Sequence, residues 1–357
     1  MVFKPFNTMF NRILLILVIG TSVARGQHVL FQTKGIQPAI CVGENESIEM
    51  VFGKGNAFYY TNSQDKGQSF TSPVLVDSLQ GLHLGVSRGP QIASSPLSTV
   101  ITAIDKKGDL YAYVLNRKTG KWQNHLMIND VPEIAKEGFN ALASDGKGTF
   151  FVIWLDLRED KMNKIFGAVS KDGGKTWGKN KLIYRSPDST VCECCQPSII
   201  MKDKQVVVMF RNWIGGSRDM YVTASKDGGN TFQSAVKMGN GTWKLNACPM
   251  DGGGISLNKN GVLASVWRRE NQLFTTKLGE SEQLLAQGRN ASIATSNQNT
   301  FIAWQNQGQI WLSQSGRKEP TSLDTGRFPK VSILNEQQAF CVWEDNAIIK
   351  GMVLTEK

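Results

Sequence analysis

Four of the six cysteines fall in two short segments, Cys192-Glu193-Cys194-Cys195 and Cys248-Pro249-Met250. Thiols at i, i+2 and i+3, joined by a fourth thiol and a thioether, have three chemistries open to them. They can pair as disulfides, hold a soft cation such as Cu(I) or Zn(II), or present a reactive thiolate. The C-x-C-C pattern is not the C-x-x-C spacing usual for zinc, and adjacent Cys194 and Cys195 could bond only as a strained vicinal ring. Four thiols allow three full pairings. The sequence therefore leaves "disulfide or metal" open for Cys192, Cys194, Cys195, Cys248 and Met250, with a disulfide-stabilised mouth as the first expectation. No cofactor is established; a soft metal, Cu or Zn, is the second expectation.

A second set of residues suits anion recognition and acid–base work. Arg88, Arg211, Arg218, Arg268 and Arg327 alternate along the chain with Asp156, Asp219 and Glu270. Planar guanidinium groups grip a carboxylate or sulfate through two parallel hydrogen bonds. Carboxylates beside them can protonate or attack at a glycosidic bond.

These residues stand at matching points of a repeat. An apolar-x-aromatic step recurs as Val152-Ile153-Trp154, Val208-Met209-Phe210, Ser265-Val266-Trp267, Ala303-Trp304 and Cys341-Val342-Trp343, with Met50-Val51-Phe52 and Thr102-Ala103-Ile104 in the same slot. Each follows a strand-like run that starts near a Pro, Gly, Asn or Ala, at a period of roughly 40–55 residues, which is the spacing of propeller blades. The reading is an all-β propeller of four-stranded antiparallel blades, over 36–75, 88–128, 138–185, 195–238, 248–286, 288–324 and 326–354. Seven blades are favoured, and six would result if two short late units merged. The last unit has three strands of its own. The run His28-Val29-Leu30-Phe31-Gln32 at the other end of the chain would complete it and close the ring. In such a ring the loops leading into inner strands and those leaving second strands surround one mouth. The arginines, carboxylates and thiols named above lie on those loops. Cys41 and Cys341, on the first and last blades, would either bridge the closure seam or lie buried as small apolar residues.

Composition agrees with this reading. The 357 residues are 41% hydrophobic and 20% charged, enough apolar content for a large core and too much for general disorder. Lys and Arg number 40 against 30 acids, for a formal charge of +10 without a basic block. That favours a scattered positive surface and an anionic ligand over nucleic acid. Three histidines make a His-built metal centre a poor expectation. Residues 1–26 read as an export signal: Lys4 and Arg12 precede the apolar Ile13–Gly20, and Ala24-Arg25-Gly26 offers a cleavage point. The mature domain would then be 27–357, periplasmic or extracellular, without a later membrane span, and monomeric.

After the third strand-like run of a unit comes a recurring turn: Ser170-Lys-Asp172-Gly-Gly-Lys-Thr-Trp177, Ser225-Lys-Asp227-Gly-Gly-Asn-Thr-Phe232 and, more loosely, Ser63-Gln-Asp65-Lys-Gly-Gln-Ser-Phe70. This is the Asp-box, and through it the chain resembles the sialidase/BNR-repeat superfamily. The boxes are structural: Asp65, Asp172 and Asp227 accept backbone N–H bonds, while glycine permits the turn. The stretch 192–254, with C-x-C-C, Arg211-Asn212, Arg218-Asp219, an Asp-box and W-x-x-x-x-C-P, is similar to an exported bacterial sialidase-like group.

The resemblance implies exo-acting hydrolysis of terminal acidic sugars from glycans. Sialidases hold the substrate carboxylate with three arginines, and they use a Tyr nucleophile with a Glu partner and an Asp acid/base. By position, Arg88, Arg218 and Arg327 match the three arginines, Glu270 the Glu and Asp156 the acid/base. No Tyr follows Tyr221, so the late-blade nucleophile is missing, and familiar sialidases have six blades. The alternative expectation is a non-catalytic propeller that binds glycan or protein, or handles a soft metal through its cysteines.

Overall fold

A computed structural model describes residues 1–2, 29–123, 125–188, 190–277 and 279–356. The proposed export signal lies almost wholly outside the described residues. From Phe31 onward the chain forms seven antiparallel sheets in sequence order around one axis. Blade one runs from Ile36–Val42 to Val74–Ser78, and blade two from Gln91–Ser94 to Leu126–Met127, with a short additional strand at Lys121–Trp122. Blades three to six begin at Asn140–Ser144, Ser198–Lys202, Gly254–Leu257 and Arg289–Thr295. Blade seven holds Arg327–Ile333, Gln338–Asp345 and Ile348–Thr355 and takes its fourth strand, Phe31–Lys34, from the start of the ring. The expectation of seven blades is borne out. The closing strand is Phe31–Lys34, with Phe31 opposite Gly351 and Lys34 opposite Ile348, and His28 of the expected run lies outside the described residues.

Second strands are buried along most of their length because a neighbouring blade packs on each face. Ser98–Ile104 and Phe150–Asp156 are buried at every position, so neither alternates between a buried and an exposed face, and Phe150–Leu155 reads as a continuous apolar run. The core is accordingly a series of wedges between blades. Val100, Phe150 and Trp154 fill the wedge between blades two and three, and Phe31, Phe52 and Phe340 fill the closing one. Cys41 packs in the wedge between blades one and two, Cys341 in that between six and seven. A bridge across the seam is therefore corrected: the two side chains belong to different wedges, and both sulfurs are free.

Each Asp-box fastens a blade to the one before it. Asp172 accepts the Thr176 N–H (3.0 Å) and hydroxyl (2.6 Å), while Ser170 Oγ accepts the Gly174 N–H (2.9 Å). Gly174 has φ +89°, and a Cβ there would stand 2.5 Å from Val100 Cγ2 of blade two, so only glycine lets the turn dock. The aromatic that closes the box packs likewise: Phe70 lies 4.6 Å from Phe31 and 5.5 Å from Phe340.

These hydrogen bonds set a pH dependence. The Ser69 hydroxyl and N–H hold the Asp65 carboxyl down at about 2, from an ordinary 3.8. A carboxylate with a lowered folded-state pKa stabilises the fold fully above its unfolded value, and that contribution is lost as pH falls through the folded value. Thermal unfolding of the wild type should therefore fall away below pH about 4, and Asp65→Asn should flatten the curve between there and pH 2. An unchanged slope in the variant would contradict this role.

No helix among the described residues is long and apolar enough to cross a membrane.

Candidate functional site at the mouth of blades four and five

The inner strands of all seven blades surround a central cavity of about 610 Å³, with Gln37, Gln91, Gln196, Asp251 and Lys330 among its lining residues. Burial lowers the Lys330 pKa, with Asp251 opposing it.

At one mouth of this channel blade four departs from the pattern. Its second and third strands, Gln205–Ile214 and Ser217–Ser225, have 10 and 9 residues, whereas the second strands of the other blades have 7 or 8. The extra length forms a hairpin that orders the loops on either side. Cys192 N–H donates to the Arg211 carbonyl (3.0 Å) on one side, and Arg218 N–H to the Trp243 carbonyl (2.8 Å) on the other. The run Asp251-Gly252-Gly253-Gly254 then brings blade five close. A Cβ on Gly252 would stand 2.1 Å from the Gln196 carbonyl oxygen, so residues 250 and 251 can be pressed onto the hairpin.

Three sulfurs gather there. Cys192 Sγ lies 3.7 Å from Cys194 Sγ and 3.3 Å from Cys195 Sγ. All three residues are buried, and Met250 packs against them. Neither distance is that of a bond, about 2.05 Å, and all six cysteines are free, so the structure contains no disulfide. Cys248 is exposed, its sulfur 3.9 Å from Glu193 Oε1, outside the trio. Hydrogen bonding with Cys194 and Cys195, helped by Arg218, lowers the Cys192 pKa, while hydrogen bonding with Cys192 and Cys195 and burial push Cys194 up.

Guanidinium groups surround the sulfurs. Arg218 donates to Cys192 Sγ (3.0 Å), pairs with Glu193 through two hydrogen bonds of 3.1 Å, and lies 4.8 Å from the Trp213 ring centroid. Burial works against the Arg218 charge, but Glu193 and the Cys192 sulfur outweigh it and raise its pKa. Arg211 is 1% exposed. It donates to the carbonyls of Asp251 (3.2 and 3.1 Å), Arg218 (2.7 Å) and Arg268 (2.9 Å). The guanidinium carbons of Arg211 and Arg268 each stand 5.3 Å from the Trp243 ring centroid.

Other arginines keep free donors. Arg88 Nε donates to the Glu137 carbonyl (2.6 Å) and the group lies over Phe139 at 4.1 Å. Its terminal nitrogens have no hydrogen-bond partner among the described residues. Arg268 reaches the Pro249 carbonyl (3.3 Å) and stands 3.8 Å from Asp251 Oδ2. The buried Nε of Arg289 has no partner among the described residues, although Arg289 is close enough to Asp251 and Arg268 for their charges to interact. Two carboxyls here are biased toward their protonated form. Burial raises Asp251, opposed by the Asn290 N–H and the nearby arginines; burial also raises Glu137, opposed by Asn163 and Arg88.

The remaining sequence candidates are placed elsewhere or held in structural contacts. Asp156 is fully buried and accepts from Trp154 Nε1, the Arg158 N–H and the Arg158 guanidinium at 2.8–2.9 Å. Asp219 accepts the Trp243 N–H (2.7 Å) and pairs with Lys237 (3.0 Å). Glu270 is an exposed turn residue with φ +57°. Arg327 is exposed and pairs with Glu344 (2.9 Å), which also accepts the Gln37 N–H (2.7 Å) and so joins blade seven to blade one. Tyr221 packs in the wedge between blades three and four. Glu137 was not a sequence candidate, for it sits in a long connection with no motif around it. Arg289 was visible as the residue leading into blade six, and Glu193 as the acid inside C-x-C-C.

The comparisons with known proteins agree with this architecture. Residues 142–272 match the family model for a BNR repeat-like domain. The seven-bladed ring and the three Asp-boxes are in keeping with that match and make the chain similar to sialidase/BNR-type propellers. A search of the curated proteins finds no match.

Among solved structures, a protein of unknown function from Dyadobacter fermentans superposes with TM-score 0.56 at 14% identity, covering 93% of this chain and 98% of its own. A PL25 ulvan lyase bound to a glucuronate–sulfated rhamnose unit gives 0.61 at 10%, covering 93% and 96%. The Penicillium chrysogenum α-L-arabinanase complexed with arabinobiose gives 0.53 at 12%, covering 92% and 98%. At these identities the likeness is one of fold.

Proposed function

We propose that the chain is an exported propeller that binds the acidic end of a glycan at the mouth beside blades four and five. One observation carries the reading: the buried Nε of Arg289 has no protein partner among the described residues, next to an Arg268 whose charge is only partly matched. Arg88 adds unpaired donors from blade two. A uronate or sulfate would supply the acceptors, and the aromatic faces of Trp243 and Phe139 hold the arginines in place behind it. The N-terminal charged and apolar segments support export, the ulvan lyase and arabinanase neighbours support a glycan ligand, and the uronate and sulfate of the unit bound to the lyase support an acidic one.

A hydrogen bond to a charged group contributes about 1.5–3 kcal/mol, or roughly 10- to 100-fold in affinity. Calorimetric titration of the mature chain should show preference for uronate- or sulfate-bearing oligosaccharides over neutral ones. Arg289→Ala should lose affinity by that factor without a change in melting temperature. Equal binding of neutral and acidic sugars, or an unaltered variant, would contradict the reading.

Cleavage of the bound glycan is a second reading, favoured by Glu137. Burial holds this carboxyl toward its protonated form beside Arg88, which suits a general acid. Glu137→Gln should then retain binding and abolish release of reducing ends.

A further inference from the structure

We propose that Cys192, Cys194 and Cys195 form a Cu(I) site, with Met250 as an additional soft ligand. The three sulfurs lie within 4.8 Å of one another, and two of their separations are 3.3 and 3.7 Å. An ion with metal–sulfur bonds of about 2.3 Å sets its thiolates roughly 3.8–4.0 Å apart. Movements of a few tenths of an ångström would therefore bring these sulfurs into a coordination triangle. Binding joins the three sulfurs to the ion and passes their protons to solvent, with no change in oxidation state.

The surroundings select the ion. Met250 is the side chain packed against the trio, and a thioether favours Cu(I) over Zn(II). Glu193, the nearest carboxylate in sequence, is held by both terminal nitrogens of Arg218 and so is not offered as a hard ligand. Sulfur-only coordination at a buried position suits a closed-shell monovalent ion that tolerates three ligands.

Charge points the same way. Three thiolates around one Cu(I) carry two net negative charges, which a buried site must balance. Arg218 donates to Cys192 at 3.0 Å. Arg88 and Arg211 lie close enough to Cys194 and Cys195 for their charges to act on those sulfurs. Arg218 is the cation in contact with a sulfur, and the other guanidinium groups add positive charge around the site. A disulfide would engage two of the sulfurs and leave the third.

The test uses the reduced mature chain, titrated anaerobically with Cu(I) against a coloured copper chelator. The expected result is one Cu(I) per chain withdrawn from the chelator, with X-ray absorption showing sulfur ligands alone. Cys192→Ser, Cys194→Ser and Cys195→Ser should each weaken binding by at least about 100-fold, since a hard hydroxyl replaces a soft thiolate. Arg218→Leu should weaken it about 10- to 100-fold, as for other partners of metal ligands. Cys248→Ser should stay within about twofold, because that thiol lies outside the trio. The absorption spectrum of the loaded wild type keeps the test decisive if a variant fails to fold. Failure of the folded, reduced wild type to compete for copper, nitrogen or oxygen ligands in the spectrum, or greater loss in Cys248→Ser than in the trio, would overturn the proposal.

Discussion

Replacing Arg211 with Met should destabilise the protein by about 3–5 kcal/mol, the range for removing one partner from a buried charged network. The side chain fills the space between the hairpin of blade four and the lead-in of blade five. Its guanidinium supplies charge-assisted donors to three carbonyl oxygens, of Asp251, Arg218 and Arg268. Methionine matches much of the length and apolar stem but leaves those carbonyls without their donors in a site closed to water. Trp243 would also lose one of the two cations near its ring. Urea denaturation of wild type and variant measures the difference. If Arg211 instead served mainly to hold a ligand, the variant would keep its stability and lose only affinity.

Deleting residues through Lys34 should have an effect of the same order. The strand Phe31–Lys34 covers the first half of the free edge of Ile348–Thr355, pairing with residues 348–351. Phe31 is 7% exposed and packs on Phe70 at 4.6 Å. Burying a phenylalanine side chain contributes about 1.5–3 kcal/mol, and the lost ladder hydrogen bonds add about 0.5–1.5 kcal/mol each. The deletion also leaves a long strand edge open to pairing with another chain. The expected outcome is a lower denaturation midpoint together with concentration-dependent association in gel filtration. A monomer with an unchanged midpoint would show that blade seven holds with three strands.

The fold was legible because local geometry dictates residue types. The box turn requires glycine where Gly174 docks on Val100, and the recurrence of the motif fixed both the period and the neighbours. Second strands such as Phe150–Asp156 announced themselves as apolar runs because both their faces are covered. The mouth was legible in outline only. That C-x-C-C would meet the segment around residue 248 followed from blade order. Which sulfurs meet depends on chain direction at Met250, φ +53°, and the result places Met250 on the trio and Cys248 outside it.

Whether an arginine faces a ligand or its own protein was beyond reach of spacing. Arg211 and Arg268 occupy equivalent positions at the ends of second strands. The longer hairpin of blade four surrounds Arg211 with carbonyls, whereas Arg268 keeps a partly open group. Glu137 carried no signal because its place beside Arg88 arises from an irregular connection between blades two and three. The seam cysteines show the same limit: Cys41 and Cys341 are close in ring order, but each faces a different wedge.

The central claim is that two remote loops deliver their side chains to one hollow, with three thiols enclosed and a fourth left at its rim. Alkylation of the reduced, folded protein followed by peptide mapping tests it most directly. Cys248 should label rapidly, while Cys192, Cys194 and Cys195 stay protected until the protein is unfolded and then label fully. Labelling of the three at the rate of Cys248, or sulfurs that resist alkylation in the unfolded, reduced chain, would contradict the arrangement.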